Sequence, residues 1–522
     1  MKKILLSLAL ALLSSMSMSA KDYKDTLAVT VNGSTTTQTA TISVDKNQDG
    51  TYNFNLKNFM LKAGEQTIGI GNIELKNLVP ATSSKGEVLA TDTTITISNG
   101  DDKSVAMWMG PMLGQIPLQL KTLVQDDHLY TVIDINMASL NQVIHVTFGD
   151  RYQLPNSGFE DYRTEQTMKA DLTGANPPSI INVEEPLHWH SFASASGDYK
   201  DAANAFSDPH TYSSDVVRSG ATGKKSLLLT SSLVLGFTIA NGTVTSGRMQ
   251  AGSMTPNDVQ NCAYLSLDST ATDSHGDLFS NHIEGCPDSL IVWVKFKQKE
   301  AVAEHPYATV SAALTDGTYY QDPQDKTYNN VVGTAKDNKI GSNDFQWQEV
   351  KIPFTYNDND LSPKAMLVTI STNADAGQGS AADSLYVDDI SLKYGIEKPA
   401  LSVDGKAVEL SSSNLTVKTA DPANTTITPT TGNRGSFAAM NTISSNDNQK
   451  VVRILYCADD LNTVKAYTLT LVKDNATGIN AIAADSNAAP ELYNLAGQRI
   501  SNAQPGQIVI VKKGDKAVKV LK

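Results

Sequence analysis

The sequence has little cysteine, few aromatic residues and no long apolar segment beyond its first twenty residues. Its three cysteines, in a chain of 522 residues, are too few for a fold that depends on a disulfide scaffold. No stretch after residue 20 is apolar over the roughly 20 residues that a membrane-spanning helix needs. We therefore expect neither a disulfide-rich domain nor a transmembrane segment.

Basic charge is also scarce. Lys and Arg number 42 against 55 Asp and Glu, which gives a net charge of −13. Nucleic acids and anionic membranes bind clustered Lys and Arg that replace counterions, and no basic stripe precedes the last residues of the chain. The charge therefore argues against a nucleic-acid partner.

Helical periodicity is missing as well. Thr, Ser, Asn, Asp and Gly recur about every ten residues between short apolar stretches, a pattern typical of β-sandwiches and β-barrels. The sequence also lacks the G-x-S-x-G, H-E-x-x-H and dinucleotide-binding motifs. We expect an all-β protein, and no catalytic residue is predicted, although a missing motif does not exclude an enzyme.

The first twenty residues have the order of a secretory signal peptide. Lys2 and Lys3 precede an apolar run over 4–13, and small residues lead to Ala20. This order predicts export, with cleavage at Ala20 and a mature protein that is secreted or held at the outer cell surface.

Residues 21–150 alternate between strands and turns, and eight strands predict a closed barrel. The segments 50–54, 58–59 and 70–73 resemble the calycin-like β-barrel domain of secreted Bacteroidetes proteins. Barrels of this size either hold one small apolar ligand or are filled by side chains, and a filled barrel is the default expectation. The predicted strands are 27–31, 39–44, 52–61, 67–78, 93–98, 116–124, 129–136 and 143–148.

Residues 153–395 form a second predicted domain. Its start, NSGFE at 156–160, and its end, VDDI at 387–390, resemble the first and last strands of jelly-roll carbohydrate-binding modules. Most of the segment also resembles a carbohydrate-metabolism domain of Bacteroidetes surface proteins, best at 347–356, at 371–373 with the following Gly377 and Gly379, and at 384–394. The family's aromatic, glycine-rich motif is reduced here to 252–256. The resemblance implies a jelly roll whose two ends lie together.

Sugar recognition needs exposed aromatic faces beside amide and carboxylate groups. Trp189, Tyr319 and Tyr320 stand in polar, loop-like surroundings and are the predicted ligand-binding residues, with burial in the core as the alternative for each. By analogy with related jelly rolls, Glu160 and Asp389 are predicted to hold a structural Ca²⁺, since Ca²⁺ prefers carboxylate and carbonyl oxygens. The alternative is that Asp388 and Asp389 merely solvate a strand end.

Cys262 and Cys286 fall in this same predicted domain, so an exported protein could join them in one disulfide. Spacing alone does not establish the Cα separation of about 4.4–6.8 Å that a disulfide requires. Paired and free thiols are therefore both open.

Residues 397–473 alternate in the manner of an Ig-like β spacer, and residues 474–489 are small and polar, as in a flexible linker. The segment 490–522, with YNLAGQRI, a Pro-Gly turn, IVIV and final lysines, resembles the C-terminal sorting domains of the type IX secretion pathway of Bacteroidetes. The resemblance implies the type IX secretion machinery as a partner.

Together these patterns predict a secreted or surface-displayed, non-catalytic glycan-binding protein. Two alternatives remain: a glycan-modifying hydrolase with its site in the jelly roll, and a structural adhesin that binds no sugar. A hydrolase needs facing carboxylates in a cleft, whereas a binding protein needs an aromatic platform.

Overall fold

The computed structural model describes residues 20–31, 34–63, 66–137, 142–474, 489–513 and 516–521. Strands dominate these residues, and helix is limited to the short α1 Lys200–Ala205 and two 3-10 turns, Gly110–Leu113 and Phe192–Ser194. The predicted all-β class is confirmed. Nearly all of the predicted signal peptide and of the linker lies outside the described residues.

The barrel unit, residues 20–150, is one antiparallel meander. Its strands follow the order β5-β6-β7-β8-β9-β1-β2-β3-β4. The barrel closes where the backbone of Asn72, in β4, and that of Ser98, just after β6, exchange hydrogen bonds of 3.0 and 3.2 Å. All eight predicted strands are present, and the short β5 is added. The strands are β1 Lys21–Val31, β2 Ser34–Lys46, β3 Tyr52–Ala63, β4 Gln66–Leu78, β5 Ala81–Ser83, β6 Gly86–Thr96, β7 Gln115–Val124, β8 Leu129–Met137 and β9 Gln142–Phe148.

Large apolar side chains fill the barrel, because alternate residues of each strand point inward. In β7, Ile116, Leu118 and Leu120 are buried while the residues between them are exposed or half-buried. Phe54 and Leu56 are buried in the same cluster. The interior is therefore a packed hydrophobic core.

The sandwich unit, residues 153–395, packs two five-stranded sheets face to face. One has the order β12-β13-β26-β19-β23 and the other β16-β25-β20-β22-β24. The strands are β10 Tyr162–Lys169, β11 Ser179–Pro186, β12 Thr211–Ser214, β13 Ser226–Thr230, β14 Ser232–Val234, β15 Thr238–Ala240, β16 Thr243–Thr245, β17 Arg248–Ala251, β18 Asn261–Tyr264, β19 Ser289–Lys297, β20 Ala308–Thr315, β21 Gln321–Asp322, β22 Val331–Ile340, β23 Gln348–Pro353, β24 Thr355–Tyr356, β25 Ala365–Ser371 and β26 Ser384–Lys393.

Alternation along the strands again builds the core. Leu290, Val292 and Val294 of β19 face Val368 and Ile370 of β25, and all five are fully buried. The outward positions of the second sheet carry short polar side chains, and these form the site described below.

The two ends of the sandwich unit lie together, as the resemblance to jelly rolls implied. The Ile390 amide in β26 donates to the Ser157 carbonyl at 2.9 Å. The first and last segments of the unit are therefore neighbours.

The third unit, residues 397–474, extends the barrel. Its strands β29-β33-β32-β31 continue the barrel sheet, because Met440 pairs with Thr82 of β5. The remaining three strands form the sheet β28-β27-β30. The strands are β27 Ala400–Val403, β28 Lys406–Val408, β29 Asn414–Thr419, β30 Ile427–Thr430, β31 Phe437–Ser445, β32 Gln449–Cys457 and β33 Val464–Lys473.

A shared core joins the three units. Tyr130 of the barrel, Phe437 of the third unit and Tyr152 of the connecting segment are buried in one cluster, with Tyr394 of the sandwich packed against it. The ring centroids of Tyr130 and Tyr152 are 4.4 Å apart, and those of Tyr152 and Tyr394 are 5.8 Å apart. The three units thus bury apolar surface against one another.

The last described segments form a separate four-stranded sheet of order β35-β34-β36-β37. Its strands are β34 Glu491–Tyr493, β35 Arg499–Ile500, β36 Ile508–Lys513 and β37 Lys516–Leu521. Residues 514 and 515, between β36 and β37, lie outside the described residues. Within the part of the chain that the structure describes, no helix has the length and apolarity to cross a membrane.

Candidate ligand groove

Trp189 does not lie on the surface. It is fully buried, packs against Phe159 with ring centroids 5.3 Å apart, and donates its indole N–H to the Pro155 carbonyl at 3.2 Å. The ring therefore presents no exposed face on which a sugar could stack, contrary to the expected surface position. The neighbouring His190 is also fully buried and lies 3.3 Å from Asp273. The polar residues beside Trp189 in the sequence therefore do not indicate exposure to solvent.

Tyr319 and Tyr320 also fail to form an exposed platform. Tyr320 is 4% exposed and belongs to a small core beneath the sheet β17-β18-β21. Tyr319 is half-buried and donates its hydroxyl to Gln321 at 2.9 Å. For Tyr320 in particular, the core alternative is the one that the structure supports.

Glu160 and Asp389 both lie near Gly158, because a Cβ atom built there would be 3.9 Å from Glu160 Cγ and 3.7 Å from Asp389 Oδ1. The Glu160 carboxylate accepts the backbone N–H groups of Lys224 and Lys225 at 2.9–3.2 Å. Asp389 accepts from the Arg218 guanidinium at 2.5 and 2.6 Å. Protein donors therefore engage both carboxylates.

Asp388, which precedes Asp389 in β26, is an acid in an unusual environment. Its Oδ2 is buried without a hydrogen-bond partner among the described residues. Burial, followed by the charges of Asp389 and Glu160, raises its pKa to about 7. Across the described residues, no group of three or more His, Cys, Asp or Glu side chains is arranged to hold a metal ion.

The predicted disulfide is absent, because Cys262 and Cys286 are both free and buried. Cys262 lies in β18, whereas the Cys286 amide donates to Asp459 of the third unit at 2.9 Å. Burial raises the pKa of Cys262 to about 12 and that of Cys286 to about 11. Both are therefore poorly reactive thiols.

A groove of about 730 Å³ runs over the outer face of the second sandwich sheet. This volume falls in the range of small-molecule sites, about 300–1,000 Å³. The sheet forms the floor, the hairpin β14–β15 and helix α1 form one wall, and the segments around residues 254, 322 and 375 complete the rim. None of the predicted ligand-binding residues lines it.

Hydroxyl groups line the floor in two cross-strand rows. Ser311 pairs with Thr369 on one side and with Lys336 on the other. In the next row Ser371 pairs with Thr243 and with Thr309. Because alternate residues of a strand share a face, these six side chains point into the groove together.

Several of these polar groups are already oriented. Ser311 donates to Asp322 at 2.9 Å, and the hydroxyls of Thr243 and Ser371 are 3.0 Å apart. Thr369 Oγ1 is buried with no hydrogen-bond partner among the described residues. An unsatisfied buried polar atom of this kind costs about 1–3 kcal/mol.

The far end of the groove carries amide and charged groups. His305 contacts Asp375 at 2.7 Å, and Asn241 donates to the Asp375 carbonyl at 3.1 Å. Asn241 Oδ1 is buried and, within the described residues, has no partner. Lys336 has no ion-pair partner in that same part of the chain, so it presents a free ammonium group beside Ser311.

The wall formed by α1 and the β14–β15 hairpin is apolar, as is the adjoining rim at Met254. Tyr199, next to α1, is 39% exposed and Met254 is 57% exposed, and both line the groove. Leu235 and Ile239 of the β14–β15 hairpin complete this wall. The groove therefore has a polar floor and an apolar side.

Two motifs noted in the sequence meet at its rim. Gly377, at φ +75°, lies so close to Pro256 that a Cβ atom there would be 2.5 Å from the proline ring. The 252–256 and 371–379 segments are thus in contact. No sequence pattern predicted this groove, although the alternating Thr and Ser residues of β20 and β25 are a partial signal of its floor.

Residues 20–150 match the family of the calycin-like beta-barrel domain. A calycin-like β-barrel domain is therefore present in this chain, as predicted for 21–150, and calycin-like barrels are a binding fold. No curated protein matches the sequence.

Proposed function

We propose that this chain is a secreted or surface-displayed, non-catalytic protein that binds glycan in the groove of its sandwich unit. The hydroxyl-lined floor is the observation that supports this proposal best. Export rests on the sequence alone, namely the signal peptide ending at Ala20 and the tail that resembles type IX sorting domains.

The groove offers the groups that sugars require. Sugar hydroxyls both donate and accept hydrogen bonds, and the floor presents serine and threonine hydroxyls that do the same. The Asp322 carboxylate accepts strong, charge-assisted bonds. Tyr199 supplies a partly exposed ring against which the CH groups of a pyranose could pack. Binding would be non-covalent and therefore reversible.

The hydrolase alternative would use the two carboxylates of the groove. Asp375 is already engaged by His305, and Asp322 accepts from Ser311. Release of reducing sugar from a bound glycan would favour this alternative. Absence of both binding and release would favour a structural adhesin.

Asp322→Asn should weaken glycan binding about 10- to 100-fold. A hydrogen bond to a charged group contributes about 1.5–3 kcal/mol, and each 1.4 kcal/mol is tenfold in affinity. The measurement is a glycan array with the full chain, followed by titration calorimetry on any hit. Thr416→Ala, an exposed strand position of the third unit, is the matched control and should bind normally. Unchanged affinity in Asp322→Asn would remove the groove from the proposal.

A structural Ca²⁺ at Glu160 and Asp389 is a second proposal. The ion would compete with Arg218 for Asp389, and the Asp388 Oδ2 atom, which has no hydrogen-bond partner among the described residues, would be a further ligand only after a local rearrangement. Carboxylate oxygens are preferred Ca²⁺ ligands. Millimolar CaCl₂ should then raise the melting temperature relative to EGTA, and Asp388→Asn should reduce that gain. No shift with Ca²⁺ in the wild-type chain would contradict the proposal.

Asp388 also predicts a pH dependence without calcium. Because its pKa is raised to about 7 in the folded state, the stability linked to its protonated form is lost as pH rises through 7. In EGTA, Asp388→Asn should therefore melt at a higher temperature than the wild type at pH 8, with a smaller difference at pH 5. Thermal melts at both pH values test this, and a gap that is equal at pH 5 and 8 would contradict it.

A further inference from the structure

The apolar wall of the groove continues onto the protein surface. At the tip of the β14–β15 hairpin, Phe237 is 71% exposed, and Leu233 on the same hairpin is 40% exposed. Leu235 and Ile239 of this hairpin line the groove. One short element therefore carries apolar side chains both inside the groove and outside its mouth.

A second hairpin extends this surface. A Cβ atom built on Gly236 would lie 3.8 Å from Leu172, which is 56% exposed and follows β10. On the same hairpin, Met168 and Ile180 pair directly across strands β10 and β11, and they are 56% and 69% exposed. We call Leu172, Leu233 and Phe237 the apolar lip.

Exposed apolar side chains that adjoin one another and a groove mark binding surfaces more often than isolated ones do. A ligand bearing only hydroxyl groups would use the floor and leave the lip in water. The apolar lip contributes to the free energy of binding only if the ligand itself has apolar surface that covers it. The polar and apolar parts of the site are also segregated, with hydroxyls on the floor and apolar groups on one wall and the lip.

We infer that the ligand is a glycan that carries an alkyl or acyl chain, such as a glycolipid or an acylated oligosaccharide. The sugar lies on the hydroxyl floor beside Asp322 and Thr369. The chain runs along Leu235 and Ile239 and leaves the groove over Phe237 and Leu172. This inference rests on the proposed function, because it assigns the sugar part to the same floor.

The test compares ligands that differ only in their chain. Titration calorimetry of the full chain is performed with methyl and octyl β-glycosides of glucose, galactose, mannose and N-acetylglucosamine, all below micelle-forming concentrations. For at least one sugar, the octyl glycoside should bind about tenfold or more tightly than the methyl glycoside, because its methylene groups leave water. Triethylene glycol monooctyl ether, which has the chain without a sugar, should bind more weakly.

Variants separate the two parts of the site. Phe237→Ser with Leu172→Ser should abolish the advantage of the octyl glycoside and leave methyl-glycoside affinity unchanged. Asp322→Asn should weaken both glycosides. Ile443→Ser, an exposed apolar position of the third unit (58% exposed), is the matched control and should change neither.

Each negative result contradicts a different claim, so failure of the chain-binding inference can be told from failure of the proposed function. Equal affinity for methyl and octyl glycosides overturns the chain-binding inference and leaves glycan binding in place. Equal affinity for the octyl ether and the octyl glycosides overturns the role of the hydroxyl floor and with it the proposed function. A lack of binding by every octyl glycoside overturns the inference, while the glycan array judges the proposed function independently.

Discussion

Replacing Trp189 by alanine is expected to lower the free energy of unfolding by about 3–5 kcal/mol, the range for removing a large aromatic side chain from a core. Trp189 is fully buried and touches Phe159, and its indole N–H is satisfied by a backbone carbonyl. The groove is lined by other residues, so glycan affinity of the folded protein should not change. Urea denaturation and titration of the same sample measure the two quantities.

The control for this prediction is Trp347→Ala. Trp347 is half-buried and packs on Tyr386 with ring centroids 6.3 Å apart. A partly exposed ring loses less burial on truncation, so its cost should be clearly smaller. A Trp189→Ala protein of normal stability that no longer binds glycan would restore Trp189 as a sugar-binding residue.

Replacing Arg163 by methionine is expected to cost about 3–5 kcal/mol at neutral pH, the usual effect of removing one partner of a buried ion pair. The guanidinium contacts Glu185 at 2.5 Å and Asp273 at 2.9 Å, and the side chains of both acids are fully buried. Without Arg163 these acids would be buried charges with too little compensation. Urea denaturation at pH 7 gives the value.

The cost should depend on pH. Burial on its own raises the pKa of Asp273, but the hydrogen bond with His190 and the charge of Arg163 outweigh burial and hold that pKa well below its usual range. A depressed pKa contributes stability above the unfolded value, near 3.8, and this stability is lost as pH falls below it. The difference between wild type and Arg163→Met should therefore shrink between pH 5 and pH 3.

Arg151→Met is the matched control. Arg151 contacts Glu284 at 2.6 Å, but about 30% of each side chain is exposed. Partly exposed ion pairs contribute about 0–1 kcal/mol, so this variant should be nearly neutral. Equal costs for the two arginines would show that burial does not set the strength of the Arg163 cluster.

The strand pattern of the barrel could be predicted because each strand has one buried and one exposed face. In β7, for example, exposed and buried residues alternate strictly from Gln115 to Leu120. The pairing of the two sandwich ends could also be anticipated, because the family resemblance covered both. Continuation of the barrel sheet into the third unit could not, since it depends on one long-range pair, Met440 with Thr82.

The candidate site resisted prediction for two physical reasons. Trp189 stands between two histidines in the sequence, and these polar neighbours suggested a surface position. In the structure, however, His190 is buried and contacts Asp273, which is itself buried in an ion pair with Arg163. The groove, in turn, is assembled from single outward-facing residues on strands far apart in sequence, such as Thr243 and Ser371. No local window of the sequence contains enough of the site to reveal it.

The shared tyrosine core limits how this protein can be dissected or recombined. Cutting the chain between residues 150 and 153 or between 395 and 397 would separate units whose side chains pack together in that core, such as Tyr130 of the barrel and Phe437 of the third unit. A sandwich expressed alone would expose the ring of Tyr394, while a barrel separated from the third unit would expose the larger apolar surface around Tyr130. The sandwich unit is consequently best kept together with the barrel and the third unit in any chimaera.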